Sequence, residues 1–455
     1  MIETDLVKLL PDLTEVENLF KEYGEINARH KFSDGGDRIV NTIIINGKAY
    51  AFGAFIGNPE PIVRKRLIKR YAKLALFKAL TKVFNVVPEW GSLTGIRPTK
   101  LAYAEMAEGR DFKDFFVNTL MVSEEKTALT AEVISSQKGI YETARGGSDF
   151  FVFIPFCPSR CEYCSFISQD VRGAEKLVDI YVDTLIREIN ESAKHIKRLR
   201  SIYVGGGTPV ALSDYNLNRV LNAIDKINTG VEFTVEAGRP DAITRNNLDV
   251  LKAHGVTRIS VNPQTFNDET LKLIGRNHTG ADVIRAYDLA RGKFSINMDL
   301  IAGLPQEDFS VFSDTLEKTV ALDPDNITVH TLCVKKGSRL AEQTENLTAG
   351  DVKKCVDYSL RRLNAAGYKA YYLYRQKYMA GNLENVGYAK DKTACVFNID
   401  TMEEITDVVA CGANAISKRV ENSGEKIERY GSPKDVKTYI NKIDEILRKK
   451  EEFFA

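Results

Sequence analysis

The sequence predicts an α/β fold in which six parallel strands curl into a partial barrel, and three observations predict it. Short β-branched or aromatic runs recur at about 151–156, 201–205, 232–237, 258–262, 296–302 and 327–332. Segments with helical spacing lie between them, at 175–197, 217–227, 268–274, 281–291 and 311–322. Strand and helix in alternation imply a parallel sheet, because a parallel neighbour is reached only by a crossover, and crossovers of one hand curl the sheet. Finally, the residues richest in chemistry fall just after the strands, at the carboxyl ends where such folds gather their sites.

Composition bounds the rest. At 455 residues, 44% apolar and 27% charged, the chain can bury a sizeable core, and disorder is excluded as its main state. Sixty-three Lys and Arg against 62 Asp and Glu leave a formal charge of +1, so no whole-molecule field gathers nucleic acid or lipid. No run approaches the roughly 18 apolar residues of a membrane span, and the start, Met-Ile-Glu-Thr-Asp, is acidic where a signal peptide is basic. The expectation is a cytoplasmic protein with no nucleic-acid partner and no membrane span.

Three regions are expected. Residues 1–145 read as an N-terminal α+β domain: the apolar runs at 42–45 and 49–56 are broken by Asn46-Gly47, a hairpin turn signal. In 61–83, Val63, Leu67, Tyr71 and Leu74 make one helix face. Its other face carries Arg64, Lys65, Arg66, Lys69, Arg70 and Lys73, which read either as a solvated surface or as a dock for an acidic electron donor. Gly91 to Pro98 is turn-rich and leads into a helix over 99–107, and Gly146-Gly147 marks a linker. Residues 146–350 hold the barrel. Residues 351–455 are expected to be a mainly helical, substrate-covering region, with helices at 351–366 and 435–450 around a Tyr-rich run at 368–378.

Seven cysteines, an odd and sparse count, argue for reduced thiols. Cys333, Cys355, Cys395 and Cys411 are scattered and read as ordinary buried small residues. Cys157, Cys161 and Cys164 instead share one loop, Phe-Cys-Pro-Ser-Arg-Cys-Glu-Tyr-Cys from Phe156, directly after the first barrel strand. A structural zinc site closes with a fourth ligand, and the nearest histidine in sequence, His195, falls in a predicted helix. An iron–sulfur cube held by three thiolates leaves one iron open, as cofactor chemistry requires. Further strand ends carry Gly205-Gly206-Gly207-Thr208-Pro209, where glycines admit close backbone approach, then Glu236 and Gln264, while Arg276 lies in Leu273-Ile-Gly-Arg-Asn and Asp299 within the run from Asn297 to Pro305. Asp299 stands inside an apolar strand, where an unpaired carboxylate costs several kcal/mol unless it faces a polar cavity.

The CxxxCxxC spacing resembles the radical SAM superfamily, and the Gly-Gly-Gly-Thr-Pro turn resembles that superfamily's motif for the SAM amino group. Together with Ile154-Pro-Phe-Cys157 and the segment from Asp299 to Pro305, they resemble the oxygen-independent coproporphyrinogen III oxidase family over about 148–415. The likeness is greatest to HemZ-type coproporphyrinogen dehydrogenases, through the segments 93–100, 235–240 and 378–388. The resemblance implies a TIM-like partial (β/α)6 barrel holding a 4Fe-4S cluster on Cys157, Cys161 and Cys164. It implies one or two S-adenosylmethionine molecules held by Tyr163, Gly206, Gly207, Thr208, Glu236, Gln264, Arg276 and Asp299. The implied reaction is oxidative decarboxylation of two propionates of coproporphyrinogen III, giving protoporphyrinogen IX, by a 5′-deoxyadenosyl radical. The implied partners are that or a related tetrapyrrole and a flavodoxin- or ferredoxin-like electron donor. Arg97, Arg239 and Arg375 sit in family-like motifs as candidates for the propionate carboxylates.

Three positions depart from the family pattern. Phe166 stands where family oxidases often carry a further cysteine, Phe151-Val-Phe153 replaces a Tyr-x-His, and Phe397-Asn398 replaces the His-Asn of the haem chaperone branch. The alternatives to the oxidase reading are a haem chaperone and a haem-degrading radical SAM relative.

Overall fold

The structure is a computed structural model describing all residues except 96, 165–168, 334–348, 377–381 and 422–425. Phe166 and the start of the 378–388 motif therefore lie outside the described residues, as does Ile96 within the 93–100 motif. The chain divides into two compact units, Met1–Ala131 and Glu132–Ala455. The first division thus falls earlier than the expected 145, and the region after 350 belongs to the same unit as the barrel.

In the first unit β1 (Ile2–Thr4) pairs in parallel with β2 (Ala28–Asp34), and β2, β3 (Arg38–Ile45) and β4 (Lys48–Phe55) form an antiparallel meander. Ile45 faces Lys48 across the two-residue turn, and Asn46 and Gly47 take φ of 51° and 77°, the double positive φ of a type I′ hairpin. Ile43 and Ile45 of β3 are buried against α1 (Leu10–Asn18) and α2 (Pro61–Phe84), in a core with Leu13, Val16, Phe20, Leu76 and Phe77. The buried side of α2 begins at Ala72, and Val63, expected on the core face, is 42% exposed. Its basic face is largely tied within the unit: Arg64 pairs with Asp34 at 2.6 Å, Lys69 with Asp12 at 2.7 Å and Arg70 with Glu105 at 3.5 Å.

The second unit is built on β5 (Ser148–Ile154), β6 (Phe156–Cys157), β7 (Gln169–Asp170), β8 (Leu199–Gly206), β9 (Glu232–Gly238), β10 (Arg258–Val261), β11 (Ser295–Ala302) and β12 (Asn326–Thr331). β5, β8, β9, β10, β11 and β12 are neighbours in that order and all parallel, as the alternating pattern predicts. Side chains alternate along each strand. Phe150, Val152, Ile202, Val204, Phe233, Val235, Ile296 and Met298 form the core with Val182, Leu185, Leu217, Leu221, Leu248 and Val283 of the covering helices. The intervening positions, Phe151, Phe153, Tyr203, Glu236, Asp299 and His330 among them, take the opposite face, where the candidate site lies.

Among the described residues, the C-terminal region carries helices and also five strands. β13 (Lys369–Tyr374), the expected Tyr-rich run, pairs with β14 (Asn385–Ala389), which joins β12 antiparallel. β15 (Asp407–Cys411) adds a seventh parallel strand beside β5, and β16 (Ile416–Glu421) and β17 (Lys426–Gly431) continue antiparallel from it. The sequence expectation of a mainly helical region missed these strands because runs of five buried residues such as 407–411 carry no alternation to distinguish them from helix. Among the described residues, no helix is long and apolar enough to cross a membrane.

Candidate functional site

The cysteine loop opens directly from the end of β5, and backbone geometry fixes it. Val171 N donates to Cys157 O at 3.0 Å, Cys164 N to Cys161 O at 3.1 Å, and Glu162 N to Ile274 O at 3.0 Å. From the adjacent strand end, Gly207 N donates to Ile154 O at 2.7 Å and Thr208 N to Phe156 O at 2.8 Å, with the Thr208 hydroxyl 3.6 Å from Cys157 Sγ. A Cβ on Gly207 would stand 2.5 Å from Phe156 O and 3.0 Å from Cys157 Sγ. Only glycine admits that approach. The glycines expected to open a path for a ligand thus also let the turn pack against the cysteine strand.

The carboxylates and amides follow around the mouth. Glu236, at the end of β9, accepts from the Tyr203 hydroxyl at 2.6 Å and Gly206 N at 3.1 Å. Burial raises its pKa against the pull of those two donors. Asp299 shows the opposite balance. Burial pushes it up, but His330, whose Nε2 lies 3.8 Å from Oδ2, and hydrogen bonding from Asn297 at 2.7 Å bring it net below the ordinary carboxylate value. Gln264 has φ of 65°, left-handed for a non-glycine residue, and is locked there by Gln264 N to Asp299 O at 2.9 Å and Ile301 N to Gln264 O at 3.0 Å. Its Oε1 is buried without a hydrogen-bond partner among the described residues. Arg276 is buried and donates to the Tyr163 hydroxyl at 2.8 Å and to Asn262 O at 3.3 Å.

A cavity of about 210 Å³ opens at this mouth, lined by Tyr163, Cys164 and Gln264 with Ile301, His330, Thr331, Leu332, Cys333, Tyr374, Gln376 and Asn385. Two of its walls escaped the sequence reading. His330 faces Asp299 on one nitrogen, and its Nδ1 lies 3.4 Å from the Tyr374 hydroxyl. A histidine one residue before the end of a barrel strand was the signal that could have found it. Cys333, expected to be a bland buried residue, lines the cavity beside Cys164, whereas Cys355, Cys395 and Cys411 are buried as expected.

Of the three arginines considered for substrate carboxylates, two belong to the second unit and one to the first. Arg239 turns into the cysteine loop, Arg375 is buried and donates to Asn382 O at 2.8 Å, and Arg97 belongs to the first unit. Two departures from the family pattern meet: Phe397 stacks on Phe151 at 5.7 Å and on Tyr203 at 4.3 Å.

Residues 151–319 match the model of the radical SAM superfamily. The chain is 35% identical over 393 residues to the oxygen-independent coproporphyrinogen-III oxidase-like protein HemZ of Bacillus subtilis, covering 82% of this chain and 78% of that one. It is also 35% identical over 193 residues to the heme chaperone HemW of the same organism, covering 41% and 50%. The structure of coproporphyrinogen III oxidase (HemN) from Escherichia coli, a radical SAM enzyme, superposes with a TM-score of 0.54 at 24% identity, covering 68% of this chain and 71% of that one. The radical SAM domain implies a 4Fe-4S cluster and S-adenosylmethionine as cofactors. The donor chemistry suits them, with three thiols on one loop. The same unit offers a polar ligand the carboxylates of Glu236 and Asp299 and a Gln264 amide oxygen that has no hydrogen-bond partner among the described residues. No three such side chains among the described residues already stand gathered around an ion site. The sequence relatives, the superfamily match and the barrel agree, and the chain belongs to the radical SAM superfamily, in its HemN/HemZ-type family.

Proposed function

We propose that this protein decarboxylates the propionate side chains of coproporphyrinogen III oxidatively, without molecular oxygen, to give the vinyl groups of protoporphyrinogen IX. The observation that carries the reading is the extent of the likeness to the HemZ protein, which runs through 82% of the chain and so well beyond the superfamily domain. In this reading Cys157, Cys161 and Cys164 hold the cluster. Gly206, Gly207 and Thr208 present backbone groups to the amino-acid part of S-adenosylmethionine, while Arg276 and Tyr163 brace the loop edge beside it. Glu236, Gln264 and Asp299 offer oxygen acceptors to hydroxyls, and Asp299, held ionised, is the strongest of them. When bound, the cluster and S-adenosylmethionine supply an organic radical able to take hydrogen from an unactivated carbon. His330 is the one cavity-lining side chain among the described residues that can carry positive charge, and it is our candidate to meet a substrate carboxylate. Tyr374 and Leu332 supply apolar wall for the ring. A flavodoxin- or ferredoxin-like protein delivers the electron; on the α2 basic face, one candidate dock for it, Arg64, Lys69 and Arg70 already pair with acidic side chains.

The test is anaerobic incubation of reconstituted protein with S-adenosylmethionine, reductant and coproporphyrinogen III, followed by mass analysis of the tetrapyrrole. Loss of two carboxyl groups is expected, and it should vanish in the Cys161→Ala variant. Cleavage of S-adenosylmethionine with an unchanged tetrapyrrole would reject the substrate and keep the radical chemistry.

A second reading, a haem carrier, is favoured by the match to the heme chaperone HemW. Against it, the position where chaperones carry histidine is Phe397, packed between Phe151 and Tyr203, which offers no iron ligand. Stable one-to-one haem retention on gel filtration would restore it.

A further inference from the structure

The cysteine loop has a buried cation behind it. Arg239, just past β9, is 3% exposed. Its Nη1 donates to Ser159 Oγ at 3.1 Å and lies 3.6 Å from Cys161 Sγ. The opposite edge of the guanidinium is clamped by Asp241, Nε to Oδ1 at 2.9 Å and Nη2 to Oδ2 at 2.8 Å, and His278 Nδ1 stands 3.8 Å from the same carboxylate. Such a bidentate pair fixes the plane of the fork, so the remaining N–H groups point at the loop by construction. Arg239 does not line the cavity of about 210 Å³, and its Nη1 is turned to Ser159 and Cys161.

We propose that Arg239, oriented by Asp241, is a positioning residue that sets the reduction potential of the cluster through its contact with Cys161. The inference rests on the assignment of Cys161 as a cluster ligand. Reduction adds negative charge to the cluster and its sulfurs. An N–H donor and a buried cation at a ligand sulfur favour the reduced form, and hydrogen bonds to sulfur and net charge are established levers on these potentials. Asp241 partly offsets the cation while holding it in place, which makes the pair adjustable in both directions.

The experiment is an EPR-monitored redox titration of the reconstituted protein without S-adenosylmethionine, which reads the reduced-to-oxidised ratio of whatever cluster is present. Arg239→Gln should lower that ratio about tenfold at a fixed poise, equivalent to ~59 mV for one electron. Asp241→Asn should raise it, because the guanidinium is then uncompensated, and Arg239→Lys should fall between wild type and Gln. A purely structural role predicts lost iron with an unshifted potential. Ratios within twofold of wild type in both Arg239→Gln and Asp241→Asn, or shifts of the same sign in the two, overturn the proposal. Cys161→Ala, which offers no donor, tests the ligand assignment separately: a full complement of iron in that variant overturns the assignment of Cys161 and with it the proposal.

Discussion

Asp149 and Asp299 show how differently burial acts on two carboxylates of one unit. Asp299 keeps its charge because His330 and Asn297 face it. Asp149, on β5, is wholly buried with the neutral hydroxyls of Ser201 at 2.6 Å and Thr406 at 2.5 Å as its partners, and burial, reinforced by nearby Asp400, pushes it up to about 8. A raised folded value means that the protonated form is favoured in the native state. Its contribution to stability is therefore complete below the ordinary carboxylate value near ~4 and is lost as pH rises through about 8. In anaerobic thermal melts the wild type should lose more stability between pH 5 and pH 9 than Asp149→Asn, whose amide does not titrate. Parallel pH curves for the two would show that Asp149 is ionised throughout. At this same scale Cys157, Cys161, Cys164, the glycine turn, Glu236, Gln264, Arg276 and Asp299 could be singled out as candidates, because each stands in a distinctive string at or near a strand. His330 and Cys333 were not, because single residues in the run from His330 to Cys333 carry no spacing.

Among the elements, the β13–β14 hairpin shapes the site most. The Tyr372 ring lies flat across Gly387 of β14, where a Cβ would come within 1.8 Å of it, and reaches the Thr328 hydroxyl of β12 at 3.2 Å. Tyr374 stacks parallel to it at 6.4 Å and lines the cavity. The glycine is thus the space through which a C-terminal strand reaches a barrel strand. Gly387→Ala should destabilise by about 1–3 kcal/mol, the usual cost of overpacking. A lower urea midpoint, partly restored by adding Tyr372→Leu, is the expected result; an unchanged midpoint would mean that the ring is free to move. The Tyr-rich composition marked this run, yet its strand partner β14, 11–20 residues further on, reaches the barrel strand β12 only through pairs 57–63 residues apart.

At the scale of the whole second unit, the C-terminal helix Ile443–Phe454 is pinned into the barrel by a buried ion pair. Lys450 Nζ lies 2.7 Å from Glu188 Oε1, with both side chains at most 1% exposed, and Glu188 Oε2 accepts from Gly412 N at 2.7 Å and the Tyr439 hydroxyl at 2.5 Å. Burial pushes the adjacent Cys411 thiol up to about 11, so the neutral thiol leaves the carboxylate as the lysine's counter-charge. Lys450→Met strands a buried carboxylate and should cost about 3–5 kcal/mol, seen as a lower denaturation midpoint. Adding Glu188→Gln should recover most of it; equal midpoints for the single and double variants would mean that the charge is solvated. Single turns of sequence do not foretell such a pair, because its partners stand 262 positions apart in numbering, from 188 to 450.

The sequence by itself determined the parallel barrel, the N-terminal hairpin at Asn46-Gly47 and the family, because period-two strands, helical spacing and short glycine or cysteine strings are local signals. The tertiary structure alone decided the seventh parallel strand, the edge hairpins, the turning of Arg239 toward Cys161 and the placing of His330 against Asp299. Those depend on which distant segments share a sheet and on where a long side chain finds its counter-charge, and neither is encoded in the spacing of neighbours along the chain.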